Sequence, residues 1–231
     1  MFLKCFVLLA LTLCLTVSAG YLVWAHCHNN TACEDLVNDL VSPKKWKEPN
    51  GNTVNYYINN RHYSNPPDIT TDVKNAAKKW SNLRVNNIDV AFKLHCVGAT
   101  DASPDLIWSD GKSVVGWGDL GNEWNSQIAV TVTWTHDDDD NRIIEQDMIF
   151  NYYKKFDRHN HTDNTEYCIY NVATHEFGHW VRLKDLDRSH QCDNPYAHYT
   201  MWKHIAKNEH KKISLRCEDK WALWYVYHGS P

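Results

Sequence analysis

Glycine and proline are scarce in this chain, with 9 Gly and 7 Pro among 231 residues. With a hydrophobic fraction of 43% and a charged fraction of 23%, that scarcity excludes a disordered chain and leaves a globular one able to bury a core. No stretch is rich enough in Lys and Arg to follow a phosphate backbone, and the net charge is −4, so nucleic acid is not an expected partner. No two cysteines form a CxxC pair, which removes support for a structural cysteine-type zinc site. Repeats and low-complexity tracts are lacking, apart from four consecutive aspartates at 137–140. The length leaves room for one domain plus a targeting segment, and little for a second domain.

Histidine and tryptophan, by contrast, are abundant: 14 His and 11 Trp. Abundant histidine raises the chance of a metal site and also of an accidental metal motif. Abundant tryptophan points to core packing before it points to a surface platform. At the start of the chain, Lys4 precedes an apolar run over residues 5–17, followed by the small residues Ser18 and Ala19. This is the layout of a signal peptide over residues 1–19, with a second cleavage point as late as Ala25. An uncleaved anchor is the competing interpretation. Cleavage would make the protein secreted, with no stable membrane association, and a monomer is expected. Cys5 and Cys14 lie in the signal; Cys27, Cys33, Cys96, Cys168, Cys192 and Cys217 remain. An even number behind a signal suggests disulfides formed in an oxidising compartment; of the 15 pairings six cysteines permit, the one expected here joins Cys27 to Cys33 as a short local loop and Cys192 to Cys217 as a clasp, leaving Cys96 with Cys168. Asn29 and Asn160 begin glycosylation sequons.

Residues 26–50 read as a lead-in and residues 51–231 as the domain. The segment TVNYYIN at 53–59 is rich in β-branched and aromatic residues and predicts a strand. A helix follows Pro66-Pro67, capped by Asp68 or Thr70, with Ile69, Val73, Ala76, Ala77, Trp80 and Leu83 as its buried stripe. Strands are predicted over 89–96, 128–134 and 143–151, and a short one over 106–108 inside a long loop at 98–127. Helices are predicted over 170–183 and 215–227. The order strand, helix, several strands, helix, loop, helix is that of an α+β fold, with one helix packed on a mixed sheet and a second carrying the chemistry.

That chemistry lies in NVATHEFGHWVRLKDL. On a helix, His175 and His179 are four residues apart, so both imidazoles leave one face and can meet one ion. Glu176 is rotated about 100° from His175 and can reach a metal-activated water without binding the metal. Zinc suits two neutral imidazoles. It lowers the pKa of its water and polarises a carbonyl, while Glu176 would act as general base and then proton donor. A solvated helix with two ordinary histidines is the plain alternative.

A wider pattern around these residues resembles the metzincin zinc peptidases, whose signature is HExxHxxGxxH or HExxHxxGxxD followed by a Met-turn. His175, Glu176 and His179 match it, Asp185 falls at the third-ligand position, and Met201 in Tyr199-Thr200-Met201-Trp202 lies at a Met-turn distance. The chain looks most similar to the matrixin-type catalytic domain, in TVNYYIN, the helix ending Ala76-Ala77-Lys78-Lys79-Trp80, IEQDMIFN and WALWYVYHG. The resemblance implies a zinc endopeptidase acting on protein or peptide substrates, with strand 128–134 as the edge along which the substrate lies and 201–214 shaping the pocket beyond the scissile bond. It departs at Arg182, where the family has Gly to turn the chain sharply out of the helix. That leaves Asp185, Asp187 and His190 as candidate third ligands. Matrixin-like domains often carry calcium. The run at 137–140 offers the oxygen ligands calcium prefers, but its spacing is not that of an EF-hand and it reads as a solvated turn. No PRCGxPD-like latency stretch is present.

Two competing functions stand beside this one. A gluzincin-type zinc peptidase would take its third ligand from a downstream Glu, with Glu209 and Glu218 as candidates. A secreted, non-catalytic binding module would use exposed tryptophans and leave the HExxH merely structural.

Overall fold

The structure is a computed structural model that describes residues 41–42, 45–46, 53–61, 67–85, 88–90, 92–136, 139–158, 165–186 and 199–228. The signal segment, most of the lead-in, both sequons, Cys27, Cys33 and Cys192, and the candidate ligands Asp187 and His190 lie outside the described residues.

A two-residue strand β1 (Lys45–Trp46) precedes β2 (Thr53–Asn59), which forms where the sequence predicts it. Val54, Tyr56 and Ile58 alternate into the core, as the two-residue period of a strand requires. Helix α1 (Thr70–Trp80) buries Val73, Ala76, Ala77 and Trp80. Asp68 Oδ1 accepts the Thr70 N–H at 2.8 Å, satisfying one of the donors a helix start leaves open.

The strand predicted over 89–96 is broken in two. β3 (Arg84–Val85) and β4 (Ile88–Asp89) form their own antiparallel ladder, and β5 (Lys93–Ala99) starts later. Between β4 and β5 the Phe92 N–H donates to Val90 O at 2.7 Å, a closer pairing along the chain than a strand ladder permits.

A second departure lies in the region predicted as a long loop. No strand forms at 106–108, and Ile107 and Trp108 are strongly exposed. The strand is instead β6 (Val114–Gly118), in the middle of the sheet. Two glycines disguise it, since glycine weakens a strand. Here they are needed: a Cβ on Gly116 would stand 2.9 Å from the Asn59 carbonyl oxygen, and one on Gly118 2.6 Å from Ile149 Cγ2. A one-turn helix α2 (Gly121–Trp124) leads into β7 (Ala129–His136) and the long β8 (Asp139–Asn151). The acidic run therefore opens into a strand from Asp139 onward, earlier than predicted.

The main sheet runs β1-β8-β6-β2-β5, all parallel, with β7 added antiparallel to β8. β1 and β6 share one edge of β8 at different heights, while β7 takes the other edge and, among the described residues, pairs with β8 alone. β9 (Phe156–Asp157) and β10 (Tyr167–Cys168) form a small separate ladder. They deliver the chain into α3 (Ile169–Trp180). A 3-10 turn (Lys211–Ile213) and α4 (Cys217–His228) complete the described elements. The result is a mixed α/β fold.

Helix α3 is enclosed: every residue except His179 is buried. Tyr56 from the sheet packs against Phe177 and Trp180 at ring separations of 5.4 and 6.0 Å. Trp80 of α1 donates its indole N–H to Thr174 O at 2.7 Å. Each large side chain buried there is worth about 1.5–3 kcal/mol, and together they hold the helix rigidly between sheet and α1.

The pairing of Cys96 with Cys168 is corrected by the structure, in which both are free thiols. Cys96 lies on β5 hydrogen-bonded to Tyr56, and Cys168 is buried at the start of α3. Burial pushes the Cys168 thiol up to about 11, which leaves it unreactive.

Candidate metal centre

His175 and His179 leave one face of α3, with ring centroids 5.0 Å apart and planes at 86°. Each ring is oriented through its inner nitrogen. His175 Nδ1 meets Thr200 O at 2.7 Å, and His179 Nδ1 meets Leu183 O at 2.8 Å. A carbonyl can only accept, so both Nδ1 atoms carry the proton and both Nε2 atoms present lone pairs outward. Those Nε2 atoms converge on Asp185 Oδ1, at 3.1 Å from His175 and 3.6 Å from His179. Burial would raise the Asp185 carboxyl. A hydrogen bond from His175 and positive charge on His175, His179 and Lys212 outweigh it and hold the group at about 2 when the imidazoles are cationic, and a dication between neutral imidazoles would favour the ionised carboxylate in the same sense. The three ligand atoms lie within 4.8 Å of one another. Two imidazoles with preset tautomers and one ionised carboxylate are a donor set that fits zinc.

Asp185 reaches the imidazoles because the chain turns sharply after α3. Arg182 N–H donates to His179 O at 2.9 Å, and Leu183 N–H donates to Gly178 O at 2.9 Å. This is the Schellman termination, whose pivotal residue must be left-handed. Arg182 takes that position at φ 81°. The arginine therefore adopts the conformation expected of the glycine it replaces, at a cost of about 1–2 kcal/mol.

Compensation comes from the lead-in. The Arg182 guanidinium donates through Nη2 to Ser42 O, Ser42 N–H donates to Arg182 O at 2.8 Å, and Val41 bridges Leu183 antiparallel. Trp46 adds a further tie, its indole N–H reaching Trp180 O at 2.9 Å and Gln146 Oε1 at 3.1 Å.

Glu176 is buried beside the histidines and accepts a hydrogen bond from Thr131 Oγ1 of β7 at 2.8 Å. Met201 is fully buried under the helix, against Gly178, where an added Cβ would collide with its sulfur and stand 2.9 Å from its Cε. The Met201 turn is stapled to the ligand segment, with Leu186 N–H donating to Met201 O at 2.7 Å and Lys203 N–H to Leu186 O at 3.1 Å.

All of this opens into a cleft of about 480 Å³. Its lining includes His175, Glu176, His179 and Asp185, with Ala129, Val130 and Thr131 of β7 along one side and Trp124 and Ile205 flanking it.

The residues expected from sequence thus come together: His175, His179 and Asp185 as one group able to hold a metal ion, Glu176 next to them, and Met201 beneath. Glu209 and Glu218 do not belong to that group. Glu209 instead accepts the Ala206 N–H at 2.9 Å. The orienting carbonyls of Thr200 and Leu183 escaped sequence analysis, because any residue type can supply a carbonyl. Thr131 and Gln146 escaped it because nothing local marks them.

Set against known proteins, the chain matches no protein-family model, and no curated protein matches it.

Proposed function

We propose that this chain is a zinc-dependent endopeptidase with a metzincin-like, matrixin-type α+β catalytic domain, acting outside the cell on protein or peptide substrates. The observation that carries the proposal is the convergence of two pre-oriented imidazoles and Asp185 in a cleft, with a further carboxylate outside that group, Glu176, alongside. His175, His179 and Asp185 would hold the ion. Zinc in such a site supplies Lewis acidity toward a carbonyl and makes water acidic enough to react near neutral pH.

The chain's own residues do the rest. Glu176 takes the proton of the attacking water and returns it to the leaving amine. The Thr131 hydroxyl fixes one carboxylate oxygen and leaves the other for that exchange. The unpaired edge of β7 offers main-chain donors and acceptors to an extended peptide, which would add as a further strand. Trp124, Ile128 and Ile205 give the cleft apolar walls for side chains flanking the scissile bond.

The test is direct. Glu176→Gln should retain one zinc per chain and lose hydrolysis of a casein or peptide substrate by at least about 10²-fold. His175→Ala should lose the metal. Retained activity in the first variant, or unchanged zinc content in the second, would refute the assignment. The gluzincin alternative is disfavoured because Asp185, not Glu209 or Glu218, closes on the histidines. A binding module would keep its ligand affinity after chelation, whereas the peptidase should lose all activity.

A further inference from the structure

Lys212, in the 3-10 turn beneath α3, has no exposed surface. Burying an ammonium is costly unless it is hydrogen-bonded. Its hydrogen bonds go to main-chain carbonyls: Nζ donates to Trp202 O and, at 3.4 Å, to Thr200 O. Four acids stand around it at longer range, Glu209, Asp185, Asp219 and Glu176. Burial draws the Lys212 ammonium down to about 8 against the pull of those acids, so it is charged at neutral pH.

The Thr200 carbonyl is also the one that orients His175. A carbonyl has two lone pairs, so Lys212 and His175 each take one. The remaining groups of Thr200 are held too. Its N–H donates to Asp219 Oδ2 at 3.4 Å and its hydroxyl to Lys212 O at 3.5 Å. Lys212 is itself tied to α3, through its N–H and Asn171 Oδ1 at 2.7 Å, one turn before His175. Lys212 therefore links the ligand-bearing helix to the turn that aims its first ligand.

We propose that Lys212 is a positioning residue of the metal centre: by clamping the carbonyls of Thr200 and Trp202 it holds the acceptor that directs His175, and so sets the affinity for the metal. The inference rests on the zinc reading of the site. Two effects of the ammonium oppose each other. As a cation near a dication it weakens metal binding by repulsion. As a clamp it strengthens binding by keeping the imidazole aimed. Hydrogen bonds that orient a metal-bound histidine are worth about 10–100-fold in affinity, and the opposing charge is offset by the four surrounding acids, so the clamp dominates.

Lys212→Met keeps the length of the side chain and removes the charge and donors. Its zinc dissociation constant, measured by competition with a chromophoric chelator, should rise about 10-fold, and kcat should fall at unchanged KM. The visible spectrum of the cobalt(II)-substituted protein should shift. Lys212→Arg, which keeps charge and donors, should recover both affinity and spectrum, and Lys211→Met at the exposed neighbour should change neither. If Lys212→Met does not fold, Lys212→Gln, with one amide donor, should weaken zinc about 3-fold or more. Wild-type or tighter zinc binding in the neutral variants would overturn the positioning role, as would failure of Lys212→Arg to recover. A wild-type protein without stoichiometric zinc would sink this inference together with the metal centre. A wild-type protein that binds zinc but cleaves no peptide would sink only the peptidase proposal, because the affinity comparison still stands.

Discussion

Arg182 pays for a left-handed backbone with bonds that a glycine could not make. Its guanidinium is buried, and burial lowers its pKa while the neighbouring Tyr227 opposes that shift. The loss of one charge-assisted bond to Ser42 O should cost about 1.5–3 kcal/mol, and the strain relieved by glycine is about 1–2 kcal/mol. Arg182→Ala keeps the strain and loses the bond. Arg182→Gly loses the bond but sheds the strain. The expected order of urea midpoints is therefore wild type, then Arg182→Gly, then Arg182→Ala. An alanine variant as stable as the glycine one would mean that the left-handed conformation carries no cost here. Both variants should also release the Val41–Ser42 segment to proteolysis sooner than the wild type.

At the level of elements, α3 and the Met201 turn are matched by contact rather than by sequence adjacency. Gly178 sits mid-helix, where glycine ordinarily costs about 1 kcal/mol relative to alanine. Were nothing packed against it, Gly178→Ala would stabilise the protein. The sulfur of Met201 occupies the space, so the substitution should destabilise by about 1–3 kcal/mol and weaken the proposed zinc site by displacing the turn beneath His175. Thermal denaturation and zinc titration read the two effects separately. A rise in Tm would show that Met201 yields without consequence. The same logic governs β6, where Gly116 and Gly118 look like loop residues until Asn59 and Ile149 are seen to fill the space their side chains would need.

Across the whole molecule, β8 binds the far loop to the sheet through two buried carboxylates. Glu145 accepts Ser109 Oγ at 2.7 Å and Gly111 N–H at 2.6 Å, and Asp147 accepts the N–H groups of Asp105 and Val114 at 2.7 Å each. Burial pushes Asp147 up to about 7 despite its two backbone donors, with the charges of Glu145 and Asp110 adding to the rise. Its folded pKa thus lies above its unfolded value of 3.8. Between these values the folded protein holds a proton that the unfolded chain has released, so this group's contribution to stability falls as pH rises from about 4 to about 7. Asparagine cannot ionise. The stability deficit of Asp147→Asn relative to wild type should therefore be larger near pH 4 than near pH 8, as urea unfolding at a series of pH values would show. A deficit independent of pH would mean that Asp147 ionises normally.

Local spacing alone determined the His175–His179 pair, the place of Glu176 and the strands and helices with clean periodicity, such as β2 and α1, because these depend on neighbours within one turn or one pleat. Contacts between distant segments decided the rest. The strand β6 follows from what packs against its glycines, the Asn59 carbonyl and the Ile149 side chain. So does the placement of Asp185 beside the two imidazoles, which depends on an arginine holding a glycine's backbone angle with help from Ser42, 140 residues away. Ring orientation belongs to the tertiary structure for the same physical reason: the acceptors are main-chain carbonyls, which leave no trace in residue type and acquire direction only when the chain has folded around them.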